Sequence, residues 1–183
     1  AFFVSMDALL KLLVAVYPVP QLMFVRFCFH VALVAIGVRL LTGAVPWRSR
    51  APALQTVRSL LLAVANGALA LALVHVPLAD ATAVSFLAPV LTVALAALWL
   101  GERVTPRRWL GVALGFAGVL IALRPPFLTG EPLHPAMLLP LVTAVANSVY
   151  QLLTRKLAAV DDPRTTFLHT GIAAAAVTAV AQP

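Results

Sequence analysis

Long apolar runs alternate with short basic gaps along this chain. Between Arg58 and Asp80 lie 21 residues without a formal charge, between Asp80 and Glu102 another 21, and Pro135 to Thr154 supplies 20. At a rise of about 1.5 Å per residue, each run is long enough as a helix to cross about 30 Å of hydrocarbon. Residues 107–124 form a shorter run whose end residues, Arg108 and Arg124, can snorkel toward the two interfaces, and residues 165–183 begin one more. In the first forty residues Asp7, Lys11 and Arg26 interrupt the apolar pattern, and Pro18 and Pro20 break any single helix through it. Proline lacks an N–H and biases the residue before it away from helix, so Tyr17-Pro18-Val19-Pro20 predicts a corner between two helices. The pattern predicts helices at 1–17, 21–42, 56–76, 79–101, 107–124, 134–156 and 165–183, with Pro89 permitting a kink in the fourth.

Composition fixes the solvent. Of 183 residues 62% are hydrophobic and 10% charged, and the mean hydropathy is +1.02. Ordinary soluble domains run at about 45–50% apolar and about 25% charged. Too little polar surface remains to cover a soluble fold, so the class is an all-α, polytopic transmembrane helix bundle whose first partner is the lipid bilayer. A net charge of +7 and a pI near 11.1 raise the question of a nucleic-acid partner. The basic residues sit in the gaps rather than along one amphipathic element, which argues against nucleic acid and for membrane orientation. Cys28 is the single cysteine and lies in an apolar run, so no disulfide framework or metal-ligand spacing is present in the sequence. No phosphate-cradling glycine loop occurs either, and no cofactor is called for. The chain starts at Ala1 and stops at Pro183 within an apolar run, which predicts a piece of a longer protein.

Basic residues also set an expected topology. The gaps after the second, fourth and sixth helices hold Arg39, Arg48, Arg50 and Arg58, then Arg103, Arg107 and Arg108, then Arg155, Lys156 and Arg164, which is ten of thirteen. The opposite side has only Arg124. By the positive-inside rule this places the N-terminus of a multi-pass protein in the cytoplasm. A shift of 143 residues sets Pro163 on Pro20, His169 on Arg26 and the sixth helix on the first. Five helices per unit is an odd number, so the second unit would run through the membrane in the opposite sense, an inverted repeat.

Residues 79–125 carry a family resemblance. The small-residue run into Ser85-Phe86-Leu87-Ala88-Pro89, the Leu100-Gly101-Glu102 ending helix four, and the Trp109-Leu110-Gly111 to Gly118 stretch resemble an EamA-type member of the drug/metabolite transporter superfamily. Ser5-Met6-Asp7-Ala8-Leu9-Leu10-Lys11 and the Gln21 to Phe27 segment are similar to one bacterial branch of it. The resemblance implies two domains, 1–125 as a complete five-helix unit and 126–183 as the opening two helices of a second. It further implies a ten-helix inner-membrane carrier with both termini cytoplasmic and a central cavity between the halves, of which roughly three helices would follow residue 183. Members are assigned amino acids, nucleobases, riboflavin, S-adenosylmethionine and toxic cations, so the motifs leave the small-molecule substrate open.

Charges inside the apolar runs are the first candidates for function. A charge in the bilayer interior costs about 2.5–3.5 kcal/mol on insertion scales, so it faces a cavity or a partner. Asp7 and Lys11 stand four apart on one helix face, and Lys11 and Arg26 lie at similar depth below the turn, so the three are expected to share one polar cluster. Arg26 and Lys11 would hold an anionic part of a substrate; the competing reading is a structural ion pair and a snorkelling arginine. Asn66, Ser85 and a stripe of Asn147, Tyr150, Gln151 and Thr154, at offsets 0, 3, 4 and 7 on the sixth helix, form a second set. Facing lipid, that stripe would leave amides unsatisfied, so it faces protein or a wet cavity, as substrate lining or as packing glue. Gly111, Gly115 and Gly118 on the fifth helix offer a homodimer face of the small-xxx-small type or close packing within the bundle, and the alanine-rich chain favours the latter.

Three functional classes follow. A secondary carrier working by alternating access, one five-helix repeat rocking against the other, is the leading reading, and nothing suggests ATP coupling. An intramembrane enzyme would need a nucleophile with its base, a carboxylate pair or a metal cluster, and the spans supply none of these. A non-transporting assembly or regulatory subunit, pairing antiparallel with a second copy, would show little charge bias, whereas this chain shows ten basic residues against one.

Overall fold

The computed structural model describes residues 2–99, 101, 103–123 and 135–181. Leu100, Glu102 and residues 124–134 lie outside the described residues, and with them the expected roles of Glu102 in the fourth-helix motif and of Arg124 as the lone basic residue on its side.

All regular structure among the described residues is helical. Helix α1 (Phe2–Leu13) is followed by a turn and by α2 (Val19–Thr42). The corner falls where the two prolines predict it, with Pro18 preceding α2 and Pro20 in its first turn, where a missing N–H costs nothing. Gly43 ends α2 in the left-handed conformation at φ 75°, donating its N–H to the Arg39 carbonyl. Helix α3 spans Pro52–His75 and begins on a proline, four residues earlier than the apolar pattern predicts. The fourth predicted helix is two pieces, α4 (Leu78–Ser85) and α5 (Leu87–Trp99), interrupted at Phe86. Pro89 explains the break, because it cannot donate to the Ser85 carbonyl four residues back and its ring crowds that carbonyl. Helix α6 is Pro106–Leu123, a 3-10 turn occupies Pro135–Met137, and α7 (Leu138–Ala158) and α8 (Pro163–Val180) complete the order. Asp162 caps α8, its carboxylate accepting the Arg164 N–H at 2.7 Å.

Four helical segments are long and apolar enough to cross a membrane: Val19–Thr42, Pro52–His75, Leu78–Trp99 and Pro135–Ala158. At 18 residues each, α6 and α8 reach about 27 Å. Described α1 has only 12 residues, so the expected first span 1–17 is shorter than the pattern predicts.

Helix α3 stands at the centre. It packs along α7 and α8, α2 packs along α8, α5 packs along α7, and α1 and α6 lie at the periphery. A core of Leu10, Met23, Phe27, Ala70, Leu73, Ala81 and Ala174 joins α1, α2, α3, α4 and α8. Small side chains dominate the buried set: Ala70, Ala72, Ala81, Ala83, Ala96, Ala144 and Ala174 are fully covered. In lipid no water is expelled between helices, so close backbone approach through small residues is what dispersion forces require. Gly171 marks the tightest such approach, between α8 and α2. By contrast, a Cβ built on Gly111, Gly115 or Gly118 of α6 meets no described atom within 4 Å. The expectation that this face packs inside the bundle is therefore not met among the described residues.

Two connections meet at one end of the bundle. The α2–α3 segment and the α7–α8 segment are tied through Asp161, which accepts from the Ser49 hydroxyl, from the Arg50 N–H at 2.7 Å and from Gln55 Nε2 at 2.9 Å. His169 Nε2 also lies 3.0 Å from the Trp47 carbonyl. Arg48 and Arg50 thus share one end with Arg155, Lys156 and Arg164.

Candidate functional site

Helices α1, α2, α3, α7 and α8 enclose a cavity of about 620 Å³. Five of the sequence candidates line it: Asp7, Arg26, Asn66, Asn147 and Tyr150. Asp7 and Arg26 act on each other electrostatically across it, so the acid and the base from α1 and α2 do come together. Asn66 Nδ2 donates to the Leu62 carbonyl at 2.8 Å within its own helix, which leaves the carbonyl end of its amide uncommitted among the described residues.

Lys11 is placed elsewhere. Its ammonium donates to the carbonyls of Leu73 and, at 2.9 Å, Val76, at the C-terminal end of α3. Those carbonyls have no helical partner and carry the negative end of the helix dipole, so a cation is stabilised there. The expected three-residue cluster is split, with Lys11 holding α1 to α3 and only Asp7 and Arg26 at the cavity. Ser85 donates to Ala81 O at 2.8 Å in its own helix, and Gln151 is half-buried but outside the cavity lining. The α7 stripe therefore divides: Asn147 and Tyr150 reach the cavity, while Thr154 lies about one turn further along.

Thr154 meets a residue that the charge count groups with the basic gaps, at the start of the expected third helix. With α3 beginning at Pro52, Arg58 lies inside the helix and is only 2% exposed. Its Nε donates to Thr154 Oγ1 at 2.7 Å, Nη1 to Thr170 Oγ1 at 2.9 Å and to the Thr166 carbonyl at 3.2 Å, and Nη2 to the Tyr150 hydroxyl at 2.8 Å. The guanidinium carbon also lies 4.5 Å from the Tyr150 ring centroid, within cation–π range. These groups border a second cavity of about 180 Å³, which shares Tyr150 and Phe167 with the larger one. Pro52 was the available signal, since proline is favoured at the first helical position.

His30, Thr143, Phe167 and Thr170 also line the large cavity and carry no sequence signal of their own. Thr143 Oγ1 donates to the Ala65 carbonyl at 3.1 Å, and Ser148 Oγ to the Ala88 carbonyl at 2.9 Å, which ties α7 to α3 and to α5. At the loop end, burial alone would raise the Asp161 pKa. The hydrogen bonds from Ser49, Gln55 and the Arg50 N–H, together with nearby His169, outweigh it and hold the carboxyl below its ordinary value.

Residues 1–124, which include α1 to α6, match the EamA-like transporter family. The chain belongs to that family. It is 32% identical over 130 residues to a riboflavin transporter of Rhizobium johnstonii, covering 71% of this chain and 40% of the relative. It is also 26% identical over 157 residues to an S-adenosylmethionine uptake transporter of Rickettsia bellii, covering 86% of this chain and 53% of the relative. One protein of known crystal structure superposes with a TM-score of 0.74 at 26% identity, over 98% of this chain and 62% of that one. The chain thus spans about half the length of the curated relatives it matches. Family and relatives point to transport rather than catalysis.

Proposed function

We propose that this EamA-family chain is the substrate-binding part of a secondary transporter that moves a small organic metabolite across the bacterial inner membrane by alternating access. The 620 Å³ cavity carries this reading, because it is built jointly by helices of the first unit, 1–125, and by the two helices of 126–183. Its volume falls within the roughly 300–1,000 Å³ of small-molecule sites. Substrate contact is assigned to Asp7, Arg26, Asn66, Asn147 and Tyr150, with Phe27, His30 and Phe167 supplying flat surfaces. Riboflavin and S-adenosylmethionine, named for the relatives, each join a flat heteroaromatic ring to a hydroxyl-rich chain or sugar. A cavity with aromatic walls and amide and hydroxyl groups suits that class.

In this scheme the α2–α3 and α7–α8 connections face the cytoplasm with the N-terminus, as their basic residues favour. Rocking of one inverted five-helix unit against the other would expose the cavity to each side in turn. The test is counterflow in proteoliposomes holding the intact protein, with riboflavin, S-adenosylmethionine, amino acids and nucleosides as labelled compounds. Exchange of one of them, reduced at least tenfold in Arg26→Gln at equal protein level, is the expected result. Exchange that Arg26→Gln leaves intact would remove Arg26 from the site, and no exchange of any compound would set the substrate class aside.

A further inference from the structure

Arg58 is a buried cation whose direct hydrogen-bond partners among the described residues are all neutral. Its acceptors are two threonine hydroxyls, a carbonyl and a phenol. Asp161 connects to it only through Gln55 and Thr166, and the Asp161 oxygens are already engaged by Ser49, Arg50 and Gln55. Dipoles and an aromatic face soften the cost of a buried charge but do not neutralise it, so the site keeps a positive potential.

Proton bookkeeping shows where that potential can act. A guanidinium has five N–H donors, and four are engaged among the described residues, which leaves one on Nη2. The Thr154 hydroxyl accepts from Arg58 and gives its own proton to the Tyr150 carbonyl at 2.7 Å. Thr170 does the same toward the Thr166 carbonyl at 2.7 Å. Tyr150 differs: its hydroxyl accepts from Arg58, and its proton has no acceptor among the described residues. A phenol that accepts a charge-assisted bond becomes a stronger donor in turn. Tyr150 borders both cavities, and Arg58 borders the smaller one.

We propose that Arg58 and Tyr150 form an anion-accepting subsite between the two cavities, taking a carboxylate or phosphate oxygen through the free Nη2–H and the Tyr150 O–H. The subsite deepens the transport reading, since an anionic end of a cargo would lodge there while its remainder occupies the larger cavity. A free inorganic or organic anion offers the same chemistry.

The test replaces Tyr150 by 3-fluorotyrosine in the intact protein in detergent and follows the fluorine resonance during titration with sodium acetate at constant ionic strength. A saturable shift, weakened at least tenfold by Arg58→Gln, is expected. A merely linear drift, or a curve that Arg58→Gln leaves unchanged, overturns the subsite. Should Arg58→Gln not fold, 3-fluorophenylalanine at position 150 keeps the ring and deletes only the hydroxyl, and an acetate affinity unchanged by that deletion likewise overturns it. Saturation by S-adenosylmethionine at lower concentration than acetate assigns the anion to an organic cargo, and saturation by acetate and phosphate alone assigns it to a free anion. Counterflow is scored separately: a silent transporter with an intact acetate shift sinks the transport reading only, and active exchange without the shift sinks the subsite only.

Discussion

Gly171 and Val31 sit so close that a methyl group on the glycine would lie 2.7 Å from Val31 Cγ2, with His30 Cδ2 at 3.0 Å and the Phe27 carbonyl at 3.2 Å. Helix α8 can therefore reach α2 only because residue 171 has no side chain. Gly171→Ala is expected to force the two helices apart and cost about 1–3 kcal/mol. A lowered thermal midpoint in detergent would register this, and because His30 and Phe27 line the cavity, ligand binding should weaken too. An unchanged midpoint would mean that the helices separate without cost.

Lys11 joins α1 to the C-terminal carbonyls of α3 rather than to the cavity. Lys11→Met should cost about 1.5–3 kcal/mol, the range for hydrogen bonds from a charged group, and leave the KM of counterflow within about twofold. A KM raised tenfold at an unchanged thermal midpoint would instead return Lys11 to the substrate site.

Asp161 ties two connections at one end of the bundle and has a lowered pKa. A depressed carboxylate contributes stability that is fully present above its unfolded pKa of about 3.9 and is lost as pH falls through the lower folded value. Asp161→Asn should thus destabilise the protein at neutral pH by about 1–2 kcal/mol, since the amide keeps one acceptor. The gap between wild type and variant should hold constant down to about pH 4 and close below it. A gap that widens on acidification contradicts the network.

Arg48 lies on the connection fastened to Asp161, the end assigned to the cytoplasm. With Cys28 changed to alanine, Arg48→Cys should resist a membrane-impermeant maleimide in intact cells and react in inverted vesicles. Ready labelling of intact cells would reverse the orientation.

Much of the fold is legible in the sequence because the bilayer imposes one constraint everywhere. Backbone groups in hydrocarbon must be bonded internally, so a charge-free run of about 20 residues is a helix whatever its neighbours are. The corner at Pro18 and Pro20 and the break before Pro89 follow just as locally, from a missing N–H. The site is less legible. Asp7, Arg26, Asn66, Asn147 and Tyr150 stand out as polar residues in apolar runs, yet Lys11 and Ser85 carry the same signal and satisfy it on carbonyls outside the cavity. Arg58 was obscured by its place near a boundary: at the start of the helix expected from 56 it counts as one more gap cation, whereas in a helix that starts at Pro52 it lies in the second turn and is buried.

What the sequence alone determined, then, is the approximate extent and chemical class of the apolar helical segments, since those depend on residues near one another in the chain. Which polar side chains meet is decided by α3 packing along α7 and α8, and by Gly171 letting α8 lie against α2. Between helices in lipid there is little hydrophobic difference to steer pairing, so contact is set by shape and by hydrogen bonds between residues about a hundred positions apart. No local pattern encodes a bond such as that from Arg58 to Tyr150.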